Sequence, residues 1–401
     1  MLQDLDREME RSGLEAVAVV GEDTSSNPEF YYVTRADILR GGIYLKKVNE
    51  EPTLVVSSID VRNARRGAVR DVASSTDYGY EEIARRLPAA RAKAQFYERL
   101  LREKGVTGRI AFYGHNEFNS LFSLVLELRK SGFKVAAEKN PHLFERIMAT
   151  KSDAEIFEIE MVGRQVQKIF SDTAALLKRC KMRGKTLLHG GKRLTVGTVK
   201  SHIRTLFAEN DLTPAEGFIV AAGTRSSDPH YGGEANDPIK TNQPIVIDLF
   251  PKGGNNMYFD FTRTVLVGRA GKELRRMHEA VAEAHDEAID AASEHVKANE
   301  LMYMACELLG AHGYKTVKSL VEGKIRKLED GFTHSLGHGV GWTLGEKPSL
   351  TLFSKDEIRR GHVFTVEPGL YDRKVGGIRI EDVVAVTSKG VKKLSTLGYT
   401  L

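Results

Sequence analysis

Short apolar runs and helical-period stretches alternate along the first part of the chain. Runs with the pattern of buried strands lie at Ala16–Val20, Tyr31–Val33, Ile43–Leu45, Thr53–Val56, Ile110–Tyr113 and Phe133–Ala136. Helical periodicity covers Asp4–Ser12, where Gly13 supplies the stop. It returns from Tyr80 to about Lys104 with a break at Pro88, and again from Glu117 to Lys130. Strands alternating with helices predict an α/β N-terminal domain, residues 1–150, with a mixed or parallel sheet covered by helices.

A second pattern begins at residue 151. Ser152 and Glu155 have the spacing of a capping box, and Ile156, Ile159, Val162, Val166, Ile169 and Thr173 follow in helical period. Further helices are expected at Thr195–Glu209, Gly271–Lys297, Glu300–Leu309 and Val317–Leu328. A strand at Gly217–Ala221 leads into the loop Ala222–Tyr231. The stretch Gln243–Thr264 reads as a β-hairpin: Ile245–Ile247 runs into Asp248, a Pro/Gly/Asn turn follows, and Met257–Phe261 carries Asp260. The last third, Phe332–Gly345, Val363–Tyr371 and Gly377–Thr387, alternates strand and loop. Residues 151–401 therefore form a second, α+β domain.

Charge changes this picture little. The formal net charge is +5 over 401 residues, and the two signs interleave, which excludes a strong nucleic-acid footprint. Two cysteines, Cys180 and Cys306, cannot build a disulfide framework. No run approaches the ~18 apolar residues of a membrane span, and Met1–Gly13 has no apolar leader core. A cytoplasmic protein with neither membrane nor nucleic-acid partners is expected.

Five polar residues interrupt apolar strands in the second domain. Asp is depleted in strands, yet Asp248 and Asp260 stand twelve residues apart in one hairpin. His338 lies between glycines in Gly337–Gly341. Glu367 ends the run Phe364–Val366 before Pro368-Gly369, and Glu381 with Asp382 breaks Gly377–Val384. Singly, each has a plain explanation, such as a turn cap or, for Glu381, a salt bridge with Arg379 or Arg263. Jointly, four buried carboxylates carry a desolvation cost that a cation would offset. Oxygen ligands with one imidazole suit two divalent ions sharing a carboxylate. Such a pair lowers the pKa of a shared water and clamps the oxyanion formed at a carbonyl, which is hydrolytic chemistry. The first 150 residues carry no comparable motif, and His115 and His142 are isolated.

In order and surroundings these residues resemble the M24 metallopeptidases, the pita-bread fold of methionine aminopeptidase, aminopeptidase P and prolidase. The resemblance covers roughly residues 151–401, and with an upstream creatinase- or prolidase-like α/β domain it covers the whole chain. It implies a metal set of Asp248, Asp260, His338, Glu367 and Glu381, with Asp260 and Glu381 bridging. It also implies that Glu367 moves the proton of a metal-bridging hydroxide. His230, in Asp228-Pro229-His230, matches the family's proton-shuttling loop histidine. His334, four residues before His338, matches a histidine that lines the substrate pocket. Thr262 would support the bridging carboxylate. Manganese is the expected ion, with cobalt, zinc or iron as alternatives, and a homodimer is expected. In one place the chain departs from the pattern: where family peptidases read H-E-x-P after the ligand histidine, here Gly345-Glu346-Lys347-Pro348 puts glycine for histidine. The arginines Arg359 and Arg360 also fall late for holding a dipeptide's free carboxylate.

The function expected first is an Xaa-Pro dipeptidase or aminopeptidase acting on a peptide or dipeptide. A non-peptidase C–N hydrolase on the same fold is the second reading, raised by Gly345. A non-catalytic metal-binding or interaction protein is the third.

Overall fold

A computed structural model describes residues 2–401 as two compact units, Met1–Met148 and Ala149–Leu401. The first is built on a six-stranded sheet. Its order is Asp71–Ser74, Thr53–Val56, Gly42–Lys47, Ala16–Gly21, Arg109–Tyr113, Lys134–Ala136. Only Gly42–Lys47 opposes its neighbours; the other strands run one way. Ala16–Gly21 is buried along its length, and Ala16, Ala18 and Val20 pack against helix residues Phe96, Leu100, Leu124 and Leu128. The helical stretch interrupted at Pro88 resolves into Tyr80–Arg86 and Ala89–Glu103.

One expected strand of this unit is a helix. Pro28–Thr34 replaces the strand at Tyr31–Val33, because Asn27 caps it by accepting from the Phe30 N–H at 3.1 Å and Pro28 fills a first-turn position that needs no donor. The strand Asp71–Ser74 was not anticipated; half-exposed along its length, it lacks a continuous apolar run.

In the second unit the capping box holds. Ser152 Oγ accepts from the Glu155 N–H at 3.3 Å, the Glu155 carboxylate accepts from the Ser152 N–H at 2.8 Å, and the helix runs Asp153–Lys178. Helix Lys272–Ala291 ends six residues earlier than its period predicts. His295 there takes a left-handed φ of 75°, and its N–H bonds Ile358 O at 2.8 Å. The helix expected at Val317–Leu328 is the single turn Val317–Val321, stopped near Gly323 at φ 71°.

Among the described residues five sheets make up the rest, and three of them carry the site. Ile219–Ala222, Ile245–Leu249 and Phe261–Val265 form one. The largest orders Leu344–Leu350, Gly337–Val340, Val363–Val366, Asp382–Thr387, Gly390–Lys393, and Gly369–Asp372 pairs with Gly376–Arg379. Helices Lys272–Ala291 and Ala298–Ala311 close a core over them with Phe332, Phe364, Leu370 and Ile378. The second hairpin strand begins at Phe261, later than Met257, because the preceding backbone bonds elsewhere: Tyr258 N to Gly341 O at 2.6 Å and Phe259 N to Pro251 O at 3.3 Å. Cys180 and Cys306 are free and buried. Among the described residues no helix is long and apolar enough to cross a membrane.

Helix Asp153–Lys178 meets the hairpin at Gly163, where an added Cβ would collide with the Phe259 ring, itself fully buried beside Asp260. Overpacking costs ~1–3 kcal/mol, whereas the gain in helix propensity is only about 1 kcal/mol. Gly163→Ala should therefore lower stability in urea unfolding; unchanged or higher stability would show that Phe259 yields freely.

Candidate metal centre

The strand register brings the first residues together. Asp248 pairs with Thr262 across the hairpin, and Asp260 stands two residues before Thr262. His338 comes from Gly337–Val340, where glycine is needed on both sides. A Cβ on Gly337 would collide with Thr365 O, and one on Gly339 with Lys347 O. Glu367 follows Val363–Val366, its N–H bonded to Leu336 O at 2.8 Å. Glu381 fills the break between Gly376–Arg379 and Asp382–Thr387, its N–H bonded to Thr262 O at 3.1 Å. His338, Glu367 and Glu381 thus sit at strand ends or between glycines, where the backbone can be turned inward.

Ligand atoms of Asp260, His338 and Glu381 lie within 4.8 Å of one another. His338 Nε2 is 3.7 Å from Asp260 Oδ2 and 3.7 Å from Glu367 Oε1. Its Nδ1 faces the Gly339 carbonyl at 3.0 Å. A carbonyl only accepts, so that bond puts the proton on Nδ1 and leaves the Nε2 lone pair toward the carboxylates. Gly345 N–H also approaches Nδ1, at 3.2 Å, and can be accepted there only if the proton moves to Nε2.

The carboxylates are under strain of charge. Burial, then the charges of Glu381, Asp248 and Glu367, holds the Asp260 pKa well above the usual range. Burial, then Glu367 and Asp248, does the same for Glu381. Burial also raises Glu367, against the pull of His338 and Arg379. Asp248 Oδ1, Asp260 Oδ1 and Glu381 Oε1 are buried without a hydrogen-bond partner. Orphaned buried carboxylate oxygens are costly, and carboxylates gathered with an imidazole, as Asp260 and Glu381 are with His338, fit hard or borderline divalent ions.

One cation shares the site. Buried Arg379 donates to Asp248 Oδ2 at 2.5 Å, to Thr262 Oγ1 at 3.2 Å and to the Tyr371 hydroxyl at 2.9 Å. Tyr371 in turn faces His334 Nε2 at 2.8 Å, and His334 Nδ1 faces Ser335 O at 2.7 Å. The Ser335 carbonyl sets the directions: His334 Nδ1 donates, and Nε2 accepts from Tyr371 O–H. Both ring nitrogens are thereby engaged. Burial, with Arg379 nearby, pushes the His334 pKa down to about 3, so the ring is neutral at physiological pH. Thr262 Oγ1 donates to Glu381 Oε2 at 2.7 Å. His230 is exposed on its loop, and its charge lowers both Glu367 and His334.

Two residues of this array, Arg379 and Tyr371, were not singled out as functional by sequence. Arg379 was weighed only as a partner for Glu381, along with Arg263. Neither bridge forms: Arg379 pairs with Asp248, and Arg263 pairs with Asp382 at 2.6 Å. The signal available was an arginine in an otherwise apolar strand. Gly345 is exposed at φ 81° with open space where a Cβ would stand, while Trp342 is buried. Beside Gly345, Glu346 binds the buried Lys151 ammonium, whose pKa burial lowers to about 7.

The profile of metallopeptidase family M24 matches residues 164–388. An Xaa-Pro dipeptidase of Pyrococcus horikoshii is 28% identical over 399 residues, spanning 96% of this chain and 94% of that one. Among solved structures, a prolidase from Pyrococcus horikoshii OT3 superposes with a TM-score of 0.76 at 24% identity, covering 100% and 99% of the two chains. An X-Pro aminopeptidase from Thermotoga maritima MSB8 gives 0.76 at 21% identity, covering 98% and 99%. Likeness at that identity speaks for the fold: an α/β N-terminal region and a pita-bread C-terminal one.

Raised carboxylate pKa values make ion binding a competition with protons. Without ions, the folded state holds protons on Asp260, Glu367 and Glu381 that the unfolded chain has released, so this contribution to stability falls as pH rises from the ordinary values of 3.8 and 4.5 through the raised ones. Ions displace those protons. The stability gap between ion-loaded and EDTA-treated protein should widen from about pH 5 to about pH 8. His334, lowered by burial, presses the other way in both samples and cancels. A gap that stays level or narrows would contradict this. Arg379→Lys keeps a charge but cannot serve Asp248, Thr262 and Tyr371 together. Calorimetry should show ion affinity down ~10–100-fold, and wild-type affinity would contradict the role.

Proposed function

The chain belongs to metallopeptidase family M24, and from that premise we propose that this hydrolase is a dinuclear Xaa-Pro peptidase, with Xaa-Pro dipeptides as its first substrates. The observation that carries the reading is that Asp260, His338 and Glu381 can offer ligand atoms within 4.8 Å of one another, while Asp248, Asp260 and Glu381 each keep a buried carboxylate oxygen unbonded. The dipeptidase relative that spans almost the whole chain supports the dipeptide over longer peptides.

Asp248, Asp260, His338, Glu367 and Glu381 would hold two divalent ions, manganese foremost, with Asp260 and Glu381 shared. When bound, such a pair lowers the pKa of a shared water and draws charge from a carbonyl oxygen. The rest is done by side chains. Glu367, the least buried of the four carboxylates, has its proton affinity raised by burial, as suits a general base that takes and returns a proton. His230, exposed on its loop and acting electrostatically on Glu367, suits contact with substrate. Arg379 fixes Asp248, and Tyr371 fixes His334, so both walls are set before substrate arrives.

A second reading, hydrolysis of a non-peptide C–N bond, is favoured by one observation. His334 has both nitrogens engaged and Gly345 offers no side chain, so a side-chain donor at that wall is missing where a scissile peptide would need one.

A panel of Xaa-Pro dipeptides, Xaa-Pro-headed longer peptides, N-acyl amino acids and ureido compounds, each with Mn²⁺ or Co²⁺, separates the two. Turnover is expected on the dipeptides above all. Silence on every proline substrate by protein shown to bind metal would overturn the peptidase reading.

A further inference from the structure

Residues 394–399 form no regular secondary structure, yet Leu394 and Ser395 are buried and side chains from far along the chain bind the segment. Gln167, on helix Asp153–Lys178, accepts from the N–H groups of Thr396 at 2.7 Å and Leu397 at 3.2 Å. Tyr399 O meets His278 Nε2 at 2.5 Å, and Tyr399 O–H donates to Asp286. The deepest attachment is Arg263, which is 1% exposed. Its guanidinium has five N–H donors, and all five are used. Nε donates to Gly398 O at 3.3 Å. Nη2 donates to Leu397 O at 2.7 Å and Asp382 Oδ1 at 2.6 Å. Nη1 donates to Thr262 O at 3.0 Å and Glu381 O at 2.6 Å. Asp382 Oδ1 also accepts from Ser395 Oγ at 2.5 Å, while Lys393 Nζ at 3.0 Å and His285 Nε2 at 3.2 Å lie beside its Oδ2.

One planar group thus touches two things at once. On one side are the backbone carbonyls of Glu381, a member of the carboxylate cluster, and of Thr262, whose hydroxyl orients the Glu381 carboxylate. On the other are two carbonyls of the segment 394–399. We propose that this segment is a structural part of the metal centre, with Arg263 as the positioning residue that transmits its docking to Glu381 and Thr262. The inference rests on the divalent-ion reading of the site. If the segment leaves, two of five buried donors lose their acceptors, and the guanidinium must turn or hydrate to recover them. Either movement loosens the carbonyls that set Glu381. Ion binding and segment docking are then linked, and linkage is reciprocal: each strengthens the other by the same factor.

Hydrogen exchange and Mn²⁺ calorimetry on the whole chain test this. In the wild type, Mn²⁺ should slow exchange at the Thr396 and Leu397 amides by about tenfold or more relative to EDTA-treated protein, consistent with the ~10–100-fold range for groups that support metal ligands. Gln167→Ala removes an attachment of the segment and touches no carboxylate of the cluster. It should speed exchange at those amides and weaken Mn²⁺ binding about tenfold at unchanged stoichiometry. Arg263→Lys, with three donors for five acceptors, should weaken it further. Ser395→Ala, which removes one hydroxyl and little bulk, serves if Gln167→Ala does not fold. Exchange indifferent to Mn²⁺ in a chain that binds it, or wild-type affinity in Gln167→Ala with the segment released, overturns the proposal. A wild-type chain that binds no Mn²⁺ overturns the ion-site reading itself, and stoichiometry tells the two failures apart.

Discussion

Burying several carboxylates together is the constraint on which the second unit depends. Removing a carboxylate from water is expensive, and like charges at close range add to the cost. Asp248, Asp260 and Glu381 are buried and Glu367 largely so, while Arg379 is the cation that reaches directly among them. One guanidinium cannot balance four carboxylates, and it bonds only one of them. The imbalance is visible in the raised proton affinities of Asp260, Glu367 and Glu381 and in three oxygens without partners. Divalent ions would remove it.

The fold serves this by delivering each group from a different place. The hairpin Ile245–Leu249 and Phe261–Val265 brings Asp248, Asp260 and Thr262. The five-stranded sheet brings His338, and the ends of its strands bring Glu367 and Glu381. Behind them is a layer in which every N–H of the Arg263 guanidinium has an acceptor and Asp382 Oδ1 is held by Arg263 and Ser395. The contrast is physical: the buried guanidinium behind has all its donors bonded, whereas Asp248, Asp260 and Glu381 each keep an unfilled acceptor.

What could be read from sequence follows from this division. The carboxylates were legible because each interrupts an apolar run. Their gathering about a cation was expected from their joint burial, but not the separate sheets that supply them. Arg379 was hidden by its neighbours: an arginine two residues from a glutamate reads as a local pair, and its real partner Asp248 lies 131 residues away. Lys151 looked like the polar start of a helix, and only the fold shows it buried against Glu346. Tyr31–Val33 has strand composition, yet the cap at Asn27 and Pro28 decided for helix. The early end of Lys272–Ala291 depends on a left-handed His295 bonded to Ile358, a long-range event that no periodicity carries.

The most direct measurement is anomalous diffraction from crystals grown with Mn²⁺. Two peaks are expected, one bonded to Asp248, one to His338 and Glu367, and both to Asp260 and Glu381. Manganese bound only elsewhere, with Asp260 and Glu381 still unliganded, would contradict the view that these buried carboxylates exist to hold a pair of ions.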